Sequence, residues 1–458
     1  MKRTALFSIV SLFVMVSFVL AACGPATAPT PQIVEKQVQV TVPVVQTQVV
    51  EKQVVQTVVV PAAAKGQLVY NSYMSDEPQP RGFDAEMVKM FKAKYPNIDV
   101  THSTVAHEDF KQALRAYLTS STPPDVMTWF AGNRARFFID MGVIMDISDV
   151  YKSQGWDKTM PKGFVALSTV KDKQYFLPTS YYWWAVYYNK AVFAKYNLQV
   201  PKTWDEFLAV CETLKKNGVT PITIGAKAPW TQAAWFDYLN MRTNGPEFHV
   251  NLMLGKEKYD DPRVKKTLEN WKVLLDKGYF VANASSYEWA EVLPDFIQGK
   301  SAMYLMGQFV MDSIPDANKK DFDFFRFPII DPKLPIGEDA PTDGFFVAAK
   351  APHPEQAKTF LAFLNSKDMV NYMVKTLKRV PVSTEADPTL FTPETLKGME
   401  LLKGADYVAQ FYDRDTTPPM AEKGMAAFAQ FWTNTGKIDS ILAQLEKDRA
   451  QIFATPQQ

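Results

Sequence analysis

Strand and helix patterns alternate along the chain from residue 67 onward, and this alternation constrains the fold more than any other feature. Alternating or short apolar runs predict strands at 67–73, 98–105 and 126–129. Apolar residues at helical spacing predict helices within 83–95 and 110–118. A strand–helix–strand–helix–strand order is typical of α/β folds, so we predict an α/β fold with mainly parallel strand pairing.

Helix-start signals continue the pattern in the second half of the chain. Thr203 and Glu206 have the spacing of a capping box, and Asp261 precedes Pro262 as an N-cap precedes a proline at the first helical position. Helices are therefore predicted to begin just after Thr203 and Asp261. Carboxylates at helix starts bind backbone N–H groups and complement the helix dipole, so we interpret these acids as caps and not as catalytic groups.

The first 23 residues have the arrangement of a secretory signal. Lys2 and Arg3 precede an apolar run from 5 to 22, and small residues lead into Cys23. An apolar run of about 18 residues is also long enough to be a membrane anchor. The ending Leu-Ala-Ala-Cys resembles bacterial lipoprotein signals. This resemblance implies that residues 1–22 are removed and that Cys23 receives a lipid.

Residues 23–65 differ in composition from the rest of the chain and are predicted to form a flexible, lipid-anchored tether ahead of the main domain. From residue 24 on, this stretch has no aromatic residue, and Val34–Val38 recurs as Val50–Val54. A segment without bulky apolar side chains does not form a core of its own. Two alternatives stay open: a strand pair packed on the main domain, and self-association through the valine-rich alternation.

Charge and composition exclude several functional classes. Lys and Arg total 50 against 49 Asp and Glu, a net charge of +1, whereas nonspecific nucleic-acid binding needs a clear positive excess. With 47% apolar residues, the chain is not globally disordered. Cys211 lies in a helical stretch and is interpreted as a buried structural thiol. The four histidines lack the spacing of a metal site, so no metal or other cofactor is predicted.

A set of motifs runs through the main domain. Leu177-Pro178-Thr179-Ser180 is followed by Tyr188-Asn189-Lys190 and by Thr203-Trp204-Asp205-Glu206-Phe207, and later come Gly299-Lys300-Ser301-Ala302-Met303 and Arg379-Val380-Pro381. Together these motifs resemble the extracellular solute-binding proteins of bacterial ABC importers, the family of maltose-binding protein. The resemblance covers nearly all of residues 66–458.

This resemblance implies a two-lobe clamshell in which ligand binds in the cleft and closure is a hinge motion. The chain would cross between lobes three times, near 177–181, 343–344 and 412–419. The implied lobes are 66–180 with 344–411, and 181–343 with 412–458. A membrane permease would recognise the closed form. The implied protein is a monomer outside the cytoplasm, held to the cell membrane through Cys23.

Aromatic residues make up 13% of the chain and include ten tryptophans. Flat rings suit the C–H faces of sugars, and planar polar groups suit the hydroxyl rim. We therefore predict that a neutral mono- to oligosaccharide binds in the cleft. The candidate contacts lie in predicted loops or at strand ends, and they are Trp129, Arg134, Tyr182, Trp184, Trp230, Gln232, Asp343 and Trp432.

Trp129 leads this set because it ends a predicted strand, and ligands of open α/β sheets lie beyond the carboxyl ends of strands. The family resemblance implies that Trp129 stacks on sugar and that Arg134 is a polar contact, with Arg136 as the alternative to Arg134. Core packing is the alternative for Trp129, and a turn role is the alternative for Asp343. In a strand, only alternate residues of 181–184 can face the cleft.

Other functions stay open from the sequence. A secreted glycoside hydrolase would also carry cleft aromatics, with two carboxylates about 5–10 Å apart. A sensor or adhesin lipoprotein would share the clamshell but would meet a receptor instead of a permease. A phosphate ligand calls for several Arg or Lys near loop ends, whereas the loops here favour aromatics. Motifs for nucleophilic or phosphate-loop chemistry are absent, so we predict a binding protein and not an enzyme.

Overall fold

The computed structural model describes residues 33–38, 54–59, 65–73 and 78–454, and the chain divides between Ala63 and Ala64 into two units. In the first unit, β1 (Ile33–Val38) pairs antiparallel with β2 (Val54–Val59). The sequence allowed a strand pair here as the alternative to an extended tether. The predicted signal and Cys23 lie outside the described residues, and the tether stays a prediction.

The second unit contains the other strands and the helices. The strands are β3 (Gly66–Ser72), β4 (Ile98–Thr104), β5 (Val126–Phe130), β6 (Thr169–Val170), β7 (Lys173–Gln174), β8 (Leu177–Tyr181), β9 (Trp184–Asn189), β10 (Thr220–Thr223), β11 (Ser301–Gly307), β12 (Phe322–Phe325), β13 (Gly337–Asp339), β14 (Thr342–Val347), β15 (Val380–Pro381) and β16 (Tyr407–Ala409).

The helices are α1 (Pro78–Lys94), α2 (His107–Thr119), α3 (Asn133–Asp140), α4 (Ser148–Gln154), α5 (Trp156–Thr159), α6 (Lys162–Leu167), α7 (Lys190–Lys195), α8 (Trp204–Lys216), α9 (Trp230–Asn244), α10 (Pro246–Met253), α11 (Pro262–Asp276), α12 (Leu293–Ile297), α13 (Asp316–Lys319), α14 (Pro354–Leu364), α15 (Lys367–Leu377), α16 (Pro393–Lys403), α17 (Tyr412–Asp415), α18 (Pro418–Thr433) and α19 (Ile438–Ala454). Short 3₁₀ turns occupy Ala284–Ser286, Gln308–Asp312, Pro388–Leu390 and Thr435–Lys437.

A six-stranded sheet forms one side of the second unit, in the order β15-β8-β14-β5-β3-β4. β3 runs parallel to β4 and β5, whereas β14 runs antiparallel to both β5 and β8. The prediction of mainly parallel pairing is therefore wrong. It came from the first three strands alone, and the return strand β14 inserts into the same sheet from far along the chain.

A four-stranded sheet forms the other side, in the order β10-β11-β9-β12. β10 and β11 are parallel, and β9 is antiparallel to β11 and β12. A large apolar cluster surrounds this sheet, and two further clusters pack on the six-stranded sheet. The α/β prediction is confirmed, because helices cover two separate sheets, each with its own core.

The chain passes from the six-stranded sheet to the four-stranded sheet and back. It leaves the six-stranded sheet at the end of β8 and enters the four-stranded sheet at β9, and it returns through β13 to β14. The third crossing and the lobe boundaries stay predictions. Leu401, Leu402 and Ala409, from the segment 344–411, pack in the apolar cluster around the four-stranded sheet.

The two predicted helix starts, just after Thr203 and Asp261, are confirmed. Thr203 and Glu206 form both bonds of the capping box, and the Asp261 side chain accepts the backbone N–H of Arg263 at 2.8 Å. Such a cap contributes about 1 kcal/mol to helix stability. Cys211 is fully buried on α8, and burial raises the pKa of its thiol, which agrees with a structural role. Within the described ranges, every helix is too short or too polar to cross a bilayer.

Candidate functional site

A cavity lies between the two sheets and contains about 710 Å³ of space free of protein atoms, part of it open to solvent. Its walls come from both sheets and from the segments that connect them. The lining residues are Tyr73, His107, Lys111, Tyr182, Trp184, Trp230, Trp289, Phe309, Pro341, Asp343, Arg379, Phe411, Asp413 and Arg414.

Aromatic rings on the side of the four-stranded sheet form a continuous wall. Trp184 begins β9, Trp230 begins α9, and Phe309 follows the end of β11. Ring centroids are 6.1 Å apart between Trp184 and Trp230 and 5.3 Å apart between Trp289 and Phe309. Phe411 stacks on Trp184 at 4.8 Å. Perpendicular neighbours hold each ring in place, so the wall is rigid and apolar.

The opposite end of the cavity is polar and is organised around Asp343 in β14. The Asp343 Oδ1 atom accepts from the Tyr73 hydroxyl at 3.0 Å and from Arg414 Nη1 at 2.7 Å. Oδ2 accepts from Arg379 Nη1 at 3.4 Å. Arg414 also donates from Nη2 to the Tyr182 hydroxyl at 2.9 Å. Burial and the Asp343 charge raise the pKa of Tyr73 well above its ordinary value, so its hydroxyl remains a donor.

A second carboxylate, Asp413 in α17, is held by two cations of the six-stranded side. Lys111 Nζ donates to Asp413 Oδ2 at 2.8 Å and to Glu108 Oε1 at 3.0 Å. Arg134 Nη1 donates to the Asp413 backbone carbonyl at 3.2 Å and to Oδ2 at 3.4 Å. Burial raises the pKa of Asp413, but the nearby positive charges outweigh burial, so its pKa lies below the ordinary value. Asp413 is therefore ionised at neutral pH.

Outside the cavity lining, the start of α3 contacts the end of α17. The Asn133 side-chain amide donates to Asp415 Oδ1 at 2.8 Å, and the Asn133 backbone N–H reaches the same oxygen at 3.3 Å. Gly132 has a φ of +104° and lies so close that a Cβ there would be 2.5 Å from the Arg414 carbonyl oxygen. We call this contact of 132–133 with 414–415 the seam.

Four of the eight predicted contacts line the cavity. Tyr182, Trp184, Trp230 and Asp343 lie together there, although they come from separate segments of the chain. Tyr182 and Trp184 are two residues apart, as the alternation of 181–184 predicted, and Trp183 is buried in the core. Their role as ligand contacts stays a prediction, because lining a cavity does not identify a ligand.

The other four do not line the cavity, and Trp129 is the main correction. Its side chain is 0% exposed in the core of the six-stranded side, with its ring stacked on Phe130 at 4.1 Å. Phe110 and Phe138 pack around the same ring. β5 is an interior strand with every residue buried, so both of its faces belong to the core. Trp129 therefore stacks on core rings here and not in the cavity.

Arg134, Gln232 and Trp432 also lie outside the lining, for different reasons. Arg134 is buried and binds Asp413, so it supports a lining residue from behind. Gln232 is buried in the first turn of α9, next to Trp230 but turned into the core. Trp432 is half-buried near the end of α18, where its ring packs on Phe280 at 4.6 Å.

Ten of the fourteen lining residues were not among the predicted contacts. Tyr73 follows β3, so the strand-end argument used for Trp129 applied to it equally. Arg379 stood within a quoted motif but was not singled out as a contact. Lys111 had a detectable signal, because a lysine between apolar residues of a helix face is unusual. Trp289 lies in an irregular segment and carried no signal.

The sequence pattern of the bacterial extracellular solute-binding proteins matches residues 75–371, well over half of the chain. A protein of Pyrococcus horikoshii named as an ABC transporter extracellular-binding protein is 27% identical over 319 residues, covering 68% of this chain and 70% of that protein. A protein of Mesorhizobium japonicum named as a sugar-binding periplasmic protein is 27% identical, covering 64% of this chain and 70% of that protein.

Among solved structures, the bacterial solute receptor AcbH, which has an exclusive preference for β-D-galactopyranose, superposes with a TM-score of 0.80. It is 29% identical, and the match covers 85% of this chain and all of that one. From the family pattern, the relatives and this two-lobe architecture, the chain belongs to the bacterial extracellular solute-binding proteins.

Proposed function

We propose that this chain captures a neutral carbohydrate in the cavity and delivers it to an ABC importer. The observation that carries the proposal is the joint presence of an aromatic wall and a polar end in one cavity between two sheets. The wall of Trp184, Trp230, Trp289 and Phe309 suits the C–H face of a sugar ring. The polar end suits its hydroxyls.

The charges of the polar end support a neutral ligand over a phosphate. The cavity is more charged than the sequence suggested, but each lining cation has a carboxylate partner. Arg379 and Arg414 bind Asp343, and Lys111 binds Asp413. A phosphate site needs donors that are not already neutralised in this way. The Mesorhizobium japonicum relative is named as sugar-binding and AcbH prefers a galactopyranose, which supports the same choice.

Catalysis is not part of this proposal. A glycoside hydrolase needs one carboxyl group that is protonated near neutral pH and can act as a general acid. Asp413 is held ionised by Lys111 and Arg134, and Asp343 is bonded to two arginines and a tyrosine. Neither carboxylate suits the role of the acid. Release of nitrophenol from nitrophenyl glycosides by the purified chain would contradict this part of the proposal.

The proposed function also implies where the protein acts. We infer that the chain acts outside the cytoplasm as a monomer, tethered by lipid on Cys23, and that a permease receives the sugar from its closed form. The motif Leu-Ala-Ala-Cys supports the lipid anchor, and the importer assignment of the relatives supports the permease.

A thermal-shift screen tests the central claim, because a ligand that binds only the folded state raises the melting temperature. The probes are D-galactose, D-glucose, D-xylose and N-acetyl-D-glucosamine, each with a β-linked disaccharide that contains it. At 100 times Kd, binding adds about 2.7 kcal/mol to the free energy of unfolding. We expect at least one sugar to raise the melting temperature in this way and to bind in calorimetry. If all eight leave the melting temperature unchanged at millimolar concentration, the proposal fails.

A further inference from the structure

The polar end of the cavity contains two carboxylates that differ in how much of their bonding capacity the protein already uses. Asp343 accepts three hydrogen bonds, which involve both of its oxygens. Asp413 accepts its side-chain bonds through Oδ2, from Lys111 and Arg134. Among the described residues, nothing donates to Asp413 Oδ1. The carboxylate that the sequence favoured is therefore occupied, and the one that it missed has an oxygen to spare.

Lys111 likewise has bonding capacity to spare, as a donor. An ammonium group carries three protons. Two of the Lys111 protons are directed at Asp413 Oδ2 and Glu108 Oε1. The side chain is 3% exposed, yet the residue lines the cavity. Its remaining proton and Asp413 Oδ1 therefore lie next to each other, a donor beside an acceptor.

We propose that Lys111 and Asp413 form a donor–acceptor pair that reads two adjacent hydroxyl groups of the sugar ring. One hydroxyl donates its proton to Asp413 Oδ1, and its neighbour accepts a proton from Lys111. Adjacent hydroxyl oxygens on a ring are about one hydrogen-bond length apart, which matches the spacing within a Lys–Asp ion pair. This inference rests on the proposed function and names the group that gives it specificity.

The surrounding residues support this assignment through their positions. Arg134 holds Asp413 from behind, at both the carboxylate and the backbone carbonyl, so we assign it as a positioning residue. The Tyr73 and Tyr182 hydroxyls are already engaged with Asp343 and Arg414. With those groups committed to one another, the Lys111–Asp413 pair has the bonding capacity that a ligand can use.

The test is a cycle that combines a substitution with removal of a ligand hydroxyl, because such a cycle isolates one pairwise interaction. Calorimetry measures the affinity of the native chain and Asp413→Asn for D-galactose and its monodeoxy analogues. If D-glucose, D-xylose or N-acetyl-D-glucosamine binds instead, its own monodeoxy series is used. In the native chain, we expect removal of the hydroxyl that meets Asp413 to weaken binding about tenfold or more, as for a hydrogen bond to a charged group.

In Asp413→Asn, the same removal should change affinity by less than about threefold, since the charged acceptor is gone. In Lys111→Met, removal of the neighbouring hydroxyl should likewise change affinity by less than about threefold, because the charged donor is gone. This variant takes the place of Asp413→Asn in the cycle if Asp413→Asn does not fold. Asp157→Asn, on the exposed face of α5, is the matched control and should retain the native pattern. A purely structural ion pair would lower the melting temperature without changing which hydroxyl matters.

The possible failures are distinguishable. If a sugar binds the native chain and every deoxygenation costs the same in the native chain and both variants, the Lys111–Asp413 assignment is rejected and the proposed function stands. If none of the four monosaccharides or their disaccharides binds the native chain, the proposed function is rejected and the assignment falls with it.

Discussion

Closure of the two sides should depend on a single glycine at the seam. The Cβ of Gly132→Ala would lie 2.5 Å from the Arg414 carbonyl oxygen and 3.1 Å from its carbonyl carbon. An ordinary van der Waals contact needs about 3.5 Å, so α3 and α17 would have to separate by roughly 1 Å. That separation would stretch the bond between Asn133 and Asp415, which is 2.8 Å long in this structure.

The expected loss of affinity follows from the hydrogen bond between Asn133 and Asp415 that is broken. A hydrogen bond to a charged group contributes about 1.5–3 kcal/mol net. If ligand is held only in the closed form, affinity falls by the same free energy that closure loses. At about 1.4 kcal/mol per tenfold, binding of the sugar found in the thermal-shift screen should weaken about 10- to 100-fold. Small-angle scattering of Gly132→Ala at saturating sugar should give a larger radius of gyration than that of the native chain.

Gly142→Ala is the matched control for backbone strain. Gly142 also has a positive φ, +70°, but a Cβ at this position would have no atom within 4 Å apart from its immediate chain neighbours. Both substitutions strain the backbone, which typically costs about 1–3 kcal/mol, and both should lower the melting temperature. Only Gly132→Ala should weaken binding. Equal affinity losses in the two variants, or native affinity in Gly132→Ala, would refute a role of the seam in closure.

Three further predictions follow from buried groups and from the N-terminus. Trp129→Ala should lower the free energy of unfolding by about 3–5 kcal/mol and leave the sugar affinity of the folded fraction within a few fold; a large affinity loss in calorimetry without destabilisation would return Trp129 to the site. Burial raises the pKa of Asp312 to about 7. Between the ordinary aspartate pKa of about 4 and this value, the folded state binds a proton that the unfolded state releases, so the free energy of unfolding should fall as pH rises from about 4 to 7. Urea titrations of Asp312→Asn should show a smaller fall than those of the native chain. Cys23→Ser should move the protein from the membrane fraction to the soluble fraction or leave its signal uncut, and an unchanged fractionation with no lipid label on the native chain would contradict lipidation.

The features that could be predicted from sequence are those set by short-range geometry. The capping box of Thr203 and Glu206 depends on residues three positions apart, so the pattern alone identifies it. The strand at 98–104 and the helix that follows it have the same local origin, because side-chain periodicity reports which face is buried. Family motifs added the two-lobe architecture, which periodicity alone did not indicate.

The features that could not be predicted depend on residues far apart in the chain. Asp343 binds Tyr73 and Arg414, which are 270 and 71 positions away. Lys111 meets Asp413 across 302 positions. No local pattern reports such pairs. Trp129 shows a related limit: the sequence placed it correctly at a strand end, but the depth of β5 within the sheet depends on β14, whose position local patterns do not reveal.

The three consecutive residues Asp413, Arg414 and Asp415 carry alternating charges, and each meets a different partner on the six-stranded side. Deletion of one residue before this tripeptide would set Asp415 against Asp343 and Arg414 against Lys111. Insertion of one residue would set Asp413 against Asp343 and Arg414 against Asn133. All three interactions would become repulsive or mismatched at once. The segment that precedes the tripeptide should therefore not tolerate a change of even one residue, although connecting segments ordinarily tolerate length changes. Reporter insertions or circular permutations of this binding protein should avoid the segment from Phe411 to Thr417.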